Sequence, residues 1–423
     1  MRTRVLAAML FAVTACKKEE APAPTTGGKE GATTPPPAEK KTSGTPGVDA
    51  ANKVVKIGCL NDESGPAAAI GKPYAIGKRL LAAAVKAGDV SPLPEGWTIE
   101  LVEKDHAYNP QQSVQHYNAI KDDVLFIAHS FGTPNTLPLR GMLERDKMVA
   151  FPASLSSEMA GNVYTPPLGP SYKAEAMRAM DWAVEQAGDP KKVRAGIVHQ
   201  QDDYGKDGLI GWTEGARVHG VQIVDAQAVA PGQKDYAAVV TSLKEKGATH
   251  VLLATLPSGT GPILGTAAQL GFKPIWIGNT PSWIDRFFDP QVLPPAVLAG
   301  FHWVTGLSYW GEDVPGMKEF IAIYEKHKDM GEPNFYMFIS FVQGLVELEA
   351  LKRAIDNGQA TREGYLAALK SIDNYDAGGL FQPVNLSKFP YEVSTKTRVL
   401  KPKLAEKTWE VVAPYAEPKS QPK

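Results

Sequence analysis

The chain has 423 residues, of which 43% are hydrophobic and 22% are charged, and its formal net charge is −1. One hydrophobic core stops growing at about 250–300 residues, so this length predicts at least two domains. The near-zero net charge excludes the strong positive field of a nucleic-acid-binding protein, and we expect no nucleic-acid partner.

The N-terminus has the features of an export signal. Arg2 and Arg4 precede an apolar stretch at 5–13, which is too short to span a bilayer but suits the central region of a secretory signal. Small residues at 14–15 then precede Cys16. This pattern resembles a bacterial lipobox and predicts that Cys16 carries a lipid anchor, with a plain signal peptide as the alternative.

A polar segment follows the predicted signal peptide at 1–16. Residues 17–52 are rich in Pro, Gly, Thr, Lys and Glu, and Val48 is their one large apolar residue. Such a segment cannot bury enough surface to offset its ordering entropy, so we predict a disordered tether. The second cysteine, Cys59, lies in an apolar run and is expected to be a buried thiol; with no zinc-type spacing, no metal or cofactor is expected.

From Lys53 onward, strand-like and helix-like segments alternate in two blocks. In the first block, strands are predicted at 54–60, 98–103, 124–129 and 149–153, and helices at 74–87, 111–121 and 136–145. In the second block, strands are predicted at 195–199, 222–230, 250–255 and 274–278, and helices at 172–186, 206–219, 236–246 and 262–270. This alternation predicts an α/β fold of two doubly wound lobes with parallel sheets.

The last part of the chain has a different pattern. Residues 317–327, 335–357 and 362–371 are helical in spacing, and 378–415 are strand-like with Pro and Lys breaks. This order suggests that the chain returns to the first lobe and then to the second.

Several loops follow predicted strands, where parallel sheets bind ligands. The candidate residues there are small, hydroxyl-bearing, aromatic or apolar: Phe131, Gly132, Thr133, Ala153, Ser154, Leu155, Tyr204, Leu256, Asn279, Thr280 and Trp283. Ordinary helix caps are the alternative reading for the hydroxyl-bearing positions.

The sequence lacks the motifs of covalent chemistry. The glycine-rich stretch at 259–265 departs from a dinucleotide loop, and no phosphate-binding loop, nucleophile elbow or paired-histidine metal motif is present. We therefore predict that the protein is not an enzyme, and a hydrolase that uses His129 or His199 is the alternative.

Several stretches resemble one known family when they are taken in order. They are KIGCLNDESGPAAAIGK (56–72), EKDHAYNPQQSVQHYN (103–118), FGTPNTLPL (131–139), VAFPAS (149–154), PPLGPSYKAEAMRAMDWAV (166–184) and HQQDDYGKDGLIGW (199–212). The chain between about 53 and 415 resembles the leucine/isoleucine/valine-binding protein family of ABC-transporter substrate-binding proteins, with the type I periplasmic-binding fold.

The resemblance implies a domain plan and a partner. Lobe 1 would comprise 53–169 and 300–376, and lobe 2 would comprise 170–299 and 377–415, with hinge crossings near 170, 300 and 376 and a tail at 416–423. A small ligand would be trapped by hinge closure and delivered to an ABC-transporter permease. The protein would be a monomer in the periplasm, attached to a membrane through its lipid only.

Particular positions match the family's ligand site or depart from it. Gly132, Thr133, Ala153 and Leu155 match positions that meet the ligand's carboxylate in amino-acid-binding members, and Tyr204 matches an aromatic clamp.

The departures concern polar groups of the family site. The acid that binds the ligand's ammonium group is replaced by Thr280 or Asn279, two tyrosines by Ile70 and Leu256, and a threonine hydroxyl by Leu155. Because a buried ammonium without a carboxylate is costly, we predict that the ligand is not an α-amino acid.

The expected ligand is an amide, an aromatic acid or a lipid-like molecule. It would contact Ile70, Phe131, Leu155, Tyr204, Leu256 and Trp283, with its polar head at Thr133 and Ser154. A lipid or sterol carrier on the same fold is the alternative binding function.

Overall fold

The computed structural model describes residues 44–391 and 393–419. The predicted signal peptide, the lipid site at Cys16, the tether up to residue 43 and the tail from residue 420 lie outside the described residues. The predicted tether extends too far, because Val48–Asp49 form a strand that pairs with residues 54–55. Val48 packs against the first hydrophobic core, so this apolar side chain is the reason for the earlier start of the fold.

Strands in the described residues form two sheets. The first sheet contains β1 Val48–Asp49, β2 Val54–Asn61, β3 Thr98–Asp105, β4 Ile127–Phe131 and β5 Ala150–Ala153. The second contains β6 Arg194–Gln200, β7 Gln222–Val229, β8 His250–Ala254, β9 Ile275–Gly278, β10 Phe301–Thr305, β11 Thr397–Lys403 and β12 Thr408–Ala416.

The α-helices in the same residues cover these sheets. In chain order they are α1 Ala68–Ala87, α2 Pro110–Ile120, α3 Thr133–Thr136, α4 Arg140–Asp146, α5 Tyr172–Ala187, α6 Asp203–His219, α7 Ala237–Glu245, α8 Pro257–Gln269, α9 Pro295–Leu298, α10 Met317–Lys326, α11 Phe335–Asp356 and α12 Arg362–Leu369.

Both sheets are parallel at their centres. In the first sheet, β2 pairs in parallel with β3 and β4, β4 pairs in parallel with β5, and β1 is antiparallel. The second sheet has the order β12-β11-β10-β9-β8-β6-β7, in which β6 to β10 are parallel and β11 and β12 are antiparallel. We call the first sheet with α1–α4 and α10–α12 the first lobe, and the second sheet with α5–α9 the second lobe.

The chain crosses between the lobes three times, and two crossings differ from the predicted positions. β10 pairs with β9 and β11 of the second sheet, so the second crossing follows Thr305 rather than residue 300. The buried apolar residues between Ala377 and Tyr391 pack in the first-lobe core, so the third crossing lies just before β11 rather than near 376. The assigned lobe boundaries at 300 and 376 are therefore wrong.

Helix boundaries also differ where proline made the pattern ambiguous. α1 begins at Ala68, six residues before the predicted start, and continues through Pro73, which lacks the amide hydrogen of an ordinary helical residue. α8 begins at Pro257 rather than at 262, because that proline occupies the first helical turn, where its missing donor costs nothing. The region predicted as one helix at 136–145 begins at the last residue of α3 and continues with a short 3-10 turn at Leu137–Leu139 and with α4.

None of the helices in the described residues is both long enough and apolar enough to cross a membrane.

Candidate ligand-binding site

A cavity lies between the two lobes at the carboxyl ends of their parallel strands. Its empty volume is about 850 Å³, which includes the part that opens to solvent. This volume lies within the usual range of about 300–1,000 Å³ for small-molecule sites.

The first-lobe wall of the cavity depends on a close backbone turn after β4. Gly132 has φ +88°, a conformation that residues with a Cβ atom rarely adopt, and a Cβ here would lie 2.8 Å from the Tyr108 ring. This turn places Thr133 next to Ser154, which follows β5, and their hydroxyl oxygens are 2.7 Å apart. One hydrogen bridges the pair, so the pair has one further hydroxyl hydrogen to donate.

A third hydroxyl, that of Tyr172, lies beside the Thr133–Ser154 pair. Tyr172, at the start of α5 in the second lobe, lines the cavity. Burial raises the pKa of its hydroxyl, and hydrogen bonds with the Leu155 backbone and the Ser154 side chain oppose that shift. Tyr172 therefore brings a second-lobe hydroxyl to the Thr133–Ser154 pair.

Tyr204 lies at the N-terminal end of α6 and is held rigidly. Its hydroxyl donates to Oδ1 of Asn279 (2.7 Å) and lies 3.3 Å from the Thr255 carbonyl oxygen. Its ring meets the ring of Tyr172 edge-on, with centroids 4.9 Å apart. Since its hydroxyl hydrogen is used within the protein, Tyr204 offers a bound molecule mainly the face of its ring.

Most predicted site residues come together in this cavity. Ten of the twelve line it: Ile70, Phe131, Gly132, Thr133, Ala153, Ser154, Leu155, Tyr204, Leu256 and Thr280. Their role in binding stays a prediction, but their placement in one cavity follows from the shared sheet edge.

Asn279 and Trp283 do not belong to the wall. Asn279 lies behind Tyr204, as its hydrogen-bond acceptor. Trp283 is fully buried in the second-lobe core, where its ring packs against Trp409 at 4.5 Å and Phe288 at 4.8 Å between centroids. The prediction that Trp283 faces the cleft is wrong. Its ring packs in the core, and its indole N–H needs no partner in the cleft because it donates to Asp285 (2.9 Å).

Sequence reasoning missed a large part of the wall. The missed residues are Tyr74, Tyr108, Pro152, Leu168, Tyr172, Pro281, Leu307, Phe335, Tyr336, Ile339, Val342, Gln343 and Phe381. Five of them belong to the first two and a half turns of α11, and the spacing of Phe335, Ile339 and Val342 is that of one helix face. That spacing was visible in the sequence, but it indicates a core face equally well.

A buried acid holds Thr280 from behind the wall. Glu175 Oε2 accepts from the Thr280 amide at 3.0 Å, and its other oxygen accepts from the Thr280 hydroxyl. Burial raises the pKa of Glu175 to about 8, against the lowering effect of these two hydrogen bonds. The hydroxyl of Thr280 is therefore engaged by Glu175.

Hydrogen bonds join the two lobes around the cavity. Tyr108 donates to Oδ2 of Asp202 at 3.2 Å, and the Ser157 amide donates to Oδ2 of Asp207 at 3.0 Å. On another side, the Tyr336 hydroxyl lies 3.0 Å from the Thr280 carbonyl oxygen. These bonds connect residues of different lobes, so the cleft is closed.

The described residues that line the cavity carry no formal charge. They are apolar, aromatic, hydroxyl-bearing or, in Gln343, an amide. In the described ranges, no group of three or more His, Cys, Asp or Glu residues is arranged to hold a metal ion. The site can surround an apolar body and hydrogen-bond one polar head, but its wall cannot neutralise an ammonium group.

Comparison with known proteins assigns this architecture to a family. A family model described as periplasmic binding protein matches residues 54–390. The chain belongs to the periplasmic binding protein family. The predicted fold class and the resemblance to leucine/isoleucine/valine-binding proteins are thereby confirmed.

Among curated relatives, this binding protein is similar to the Leu/Ile/Val-binding protein homolog 3 of Brucella melitensis. The two are 25% identical over 246 residues, which is 55% of this chain and 64% of that protein. The match therefore spans less than two thirds of that relative.

Solved structures resemble this binding protein over more of its length. A fatty acid ABC transporter substrate-binding protein from Thermomonospora curvata has a TM-score of 0.82 and 26% identity, covering 88% of this chain and 94% of that one. A branched chain amino acid ABC transporter protein from Thermus thermophilus, with bound valine, has a TM-score of 0.75 and 20% identity, covering 86% and 97%. The second likeness establishes the fold alone.

Proposed function

We propose that this chain captures a small, largely apolar molecule between its two lobes and delivers it unchanged to an ABC-transporter permease. The observation that carries this proposal is the uncharged, largely apolar cavity enclosed by both lobes. Membership of the family supports capture by hinge closure, in which the ligand stabilises the closed form that a permease recognises.

The proposed ligand has one polar head and an uncharged body. The head would lie at the hydroxyls of Thr133, Ser154 and Tyr172, and the body against Phe131, Leu256 and the apolar face of α11. An amide fits this division, and so does a carboxylate, because its oxygens accept hydrogen bonds from the hydroxyls and these bonds offset part of the cost of burying its charge. The fatty-acid specificity named for the Thermomonospora curvata protein agrees with such a ligand.

An α-amino acid fits this wall poorly. Its ammonium group would enter a cavity whose lining offers no carboxylate, and burying an unpaired charge costs several kcal/mol even after relaxation. Glu175 is the nearest acid to Thr280, yet burial raises its pKa to about 8 and both its oxygens accept from Thr280. This acid is therefore a poor partner for an ammonium group.

The pattern of the N-terminal sequence supports a proposal about location. We infer that the protein is exported and works outside the cytoplasm as a monomer with a lipid on Cys16, because residues 1–16 have the pattern of a lipoprotein signal peptide. Replacing Cys16 with Ser should move the protein from the membrane fraction to the soluble fraction. Retention of Cys16→Ser in the membrane fraction would contradict the lipid anchor.

The ligand class can be tested by isothermal titration calorimetry at pH 7 with matched probes. We expect decanoate, decanamide, benzoate or benzamide to bind at least about tenfold more tightly than leucine and glutamate, a difference of about 1.4 kcal/mol. The acid–amide pairs separate the charge of the head from the shape of the body. Tighter binding of leucine or glutamate than of all four probes would refute the proposed ligand class.

A further inference from the structure

The three chain crossings meet at one point between the lobes. A Cβ atom on Gly306, in the second crossing, would overlap the ring of Pro170 in the first and lie 3.0 Å from the carbonyl oxygen of Lys396 in the third. A small cavity beside this point is lined by residues 168–170, 306–307 and 393–394 of the crossings, together with 381–384. Any rotation of one lobe against the other must change distances here.

One side chain hydrogen-bonds to two of these crossings at once. Nε2 of Gln382 donates to the carbonyl oxygen of Gly306 at 2.8 Å and to that of Lys396 at 2.9 Å. The Ser394 hydroxyl donates to Oε1 of the same amide at 2.8 Å. A primary amide has two N–H donors, so both are used, and the orientation of the group is fixed from its other end.

The residue next to Gln382 faces the ligand cavity. Phe381 lines the ligand cavity and also the small cavity among the crossings, as do Leu168 and Leu307. A molecule that packs against Phe381 therefore lies one residue away from the amide that joins the crossings.

We propose that Gln382 is a positioning residue that holds the first-lobe segment 377–391 against the second and third crossings in the closed arrangement and links this arrangement to ligand contact at Phe381. The inference rests on the proposed function, because it assumes that closing of the lobes is the working step. Gln382 acts through the crossings, since it does not line the ligand cavity itself. The two carbonyl oxygens lie one and two residues beyond the Thr305–Arg398 pair of the second sheet, so they move together. Gln382 belongs to the segment 377–391, which packs on the first-lobe core. Opening of the lobes would therefore separate Gln382 from these oxygens and break its bonds.

Hydrogen exchange at the Ser157 amide shows whether the lobes are closed, and it requires no added label. It belongs to the first lobe and donates to Asp207 of the second lobe, so it is protected from hydrogen exchange only while the lobes are closed. The strand amides of β8, inside the second sheet, report stability rather than closure. Exchange of both sets is measured by mass spectrometry on the full chain without any ligand.

Gln382→Met should accelerate exchange at the Ser157 amide about tenfold and leave β8 unchanged, because it removes the donors that join the segment 377–391 to the crossings while keeping the size of the side chain. Ser394→Ala, which removes only the bond to Oε1, should accelerate it about threefold. Gln112→Met, an exposed change on α2, is the matched control and should change neither.

Two outcomes overturn the proposal. One is exchange at Ser157 that stays at the wild-type rate in Gln382→Met and in Ser394→Ala. The other is an equal acceleration in β8, which would mean that the residue only supports the fold. If Gln382→Met does not fold, Ser394→Ala alone decides.

The same measurement gives a different result if the proposed function, rather than the role of Gln382, is wrong. Adding the four apolar probes to the wild-type protein should slow exchange at Ser157 if they are captured by closure. If none of them slows it, ligand capture as proposed is wrong, while the comparison of variants without ligand still tests Gln382.

Discussion

Single residues of the cavity wall offer a ligand two different contacts: some present the face of an aromatic ring, and others present a hydroxyl group that can form a hydrogen bond. The hydroxyl hydrogen of Tyr204 is used by Asn279. The three linked hydroxyls of Thr133, Ser154 and Tyr172 use two hydrogens between them and keep one for a ligand. The two kinds of residue should therefore respond differently to substitution.

Replacing Tyr204 tests this separation. Tyr204→Ala removes a large aromatic surface and should weaken binding of the tightest probe by about 2–3 kcal/mol, whereas Tyr204→Phe should cost less than about 1 kcal/mol. The Ser282 hydroxyl lies 2.5 Å from the Leu253 carbonyl oxygen and 3.1 Å from Oδ1 of Asn279, so in the Phe variant its one hydrogen can turn to the Asn279 oxygen. Titration calorimetry of both variants measures this, and an equal loss in both would show that the hydroxyl rather than the ring matters.

Glu175 gives a prediction about pH. Burial raises its pKa from 4.5 to about 8, so the folded protein keeps a proton there that the unfolded chain loses above about pH 4.5. The stability that this group contributes is fully present below about pH 4.5 and is lost as the pH rises to about 8. Glu175→Gln keeps a neutral side chain at every pH and should remove this dependence.

The measurement is urea denaturation of wild type and Glu175→Gln between pH 4.5 and 9. The free energy of unfolding of wild type, relative to the variant, should fall by a few kcal/mol across this range, about 1.4 kcal/mol for each unit of pKa shift at most. A difference between the two proteins that stays constant with pH would mean that Glu175 is ionised in the folded protein.

At the scale of elements, α11 joins the core of the first lobe to the cavity. Its first residues line the cavity, and further along it Glu347 pairs with Lys78 of α1 at 2.7 Å, with both side chains fully buried. Nε2 of Gln343, on the cavity wall, donates to Oε1 of Glu347 at 2.9 Å. The buried pair therefore fixes the orientation of a wall residue as well as the contact between two helices.

Breaking this pair should be costly. Lys78→Met leaves Glu347 buried without its cation and should lower the free energy of unfolding by about 3–5 kcal/mol in urea denaturation. Adding Glu347→Leu should restore much of this loss, because no unpaired charge remains. Lys352→Met, which breaks a half-exposed pair with Asp356 on the same helix, is the control and should cost less than about 1 kcal/mol. A loss that the second substitution does not reduce would contradict the role of charge.

Elements with a clear period could be predicted, and their tertiary roles could not. The sequence predicts a helix at 335–357, and α11 spans Phe335–Asp356, because a long apolar segment without Pro or internal breaks allows little else. Its apolar residues occupy all sides, so the pattern did not reveal which face meets the cavity. The segment from 377 to 391 has Gly and Pro breaks like a set of strands, yet it packs irregularly on the first-lobe core.

In the candidate site, too, some residues could be predicted from the sequence and others could not. Residues that follow strands, such as Thr133, Ser154 and Tyr204, could be predicted because parallel strands end at one edge of a sheet. Tyr172 and Phe381 come from the start of a helix and from an irregular segment, and only the tertiary structure brings them to the cavity. Trp283 follows a strand as well, but its aromatic ring is buried in a core that the local sequence does not reveal.

In the molecule as a whole, capture of a ligand depends on a closed cleft whose described wall residues carry no charge. Tyr108 with Asp202, and Ser157 with Asp207, connect the lobes across the cavity. A ligand held this way would leave slowly, since release requires these bonds to break. Such a ligand should remain with the protein through a gentle purification.

The most direct test is native mass spectrometry of the purified protein, followed by mass analysis of the molecule released on unfolding. We predict a one-to-one complex with a single small molecule that is mostly hydrocarbon or aromatic, carries a carboxyl or amide head and has no α-amino group. Release of leucine or another α-amino acid, or of a molecule already cleaved by the protein, would contradict the account.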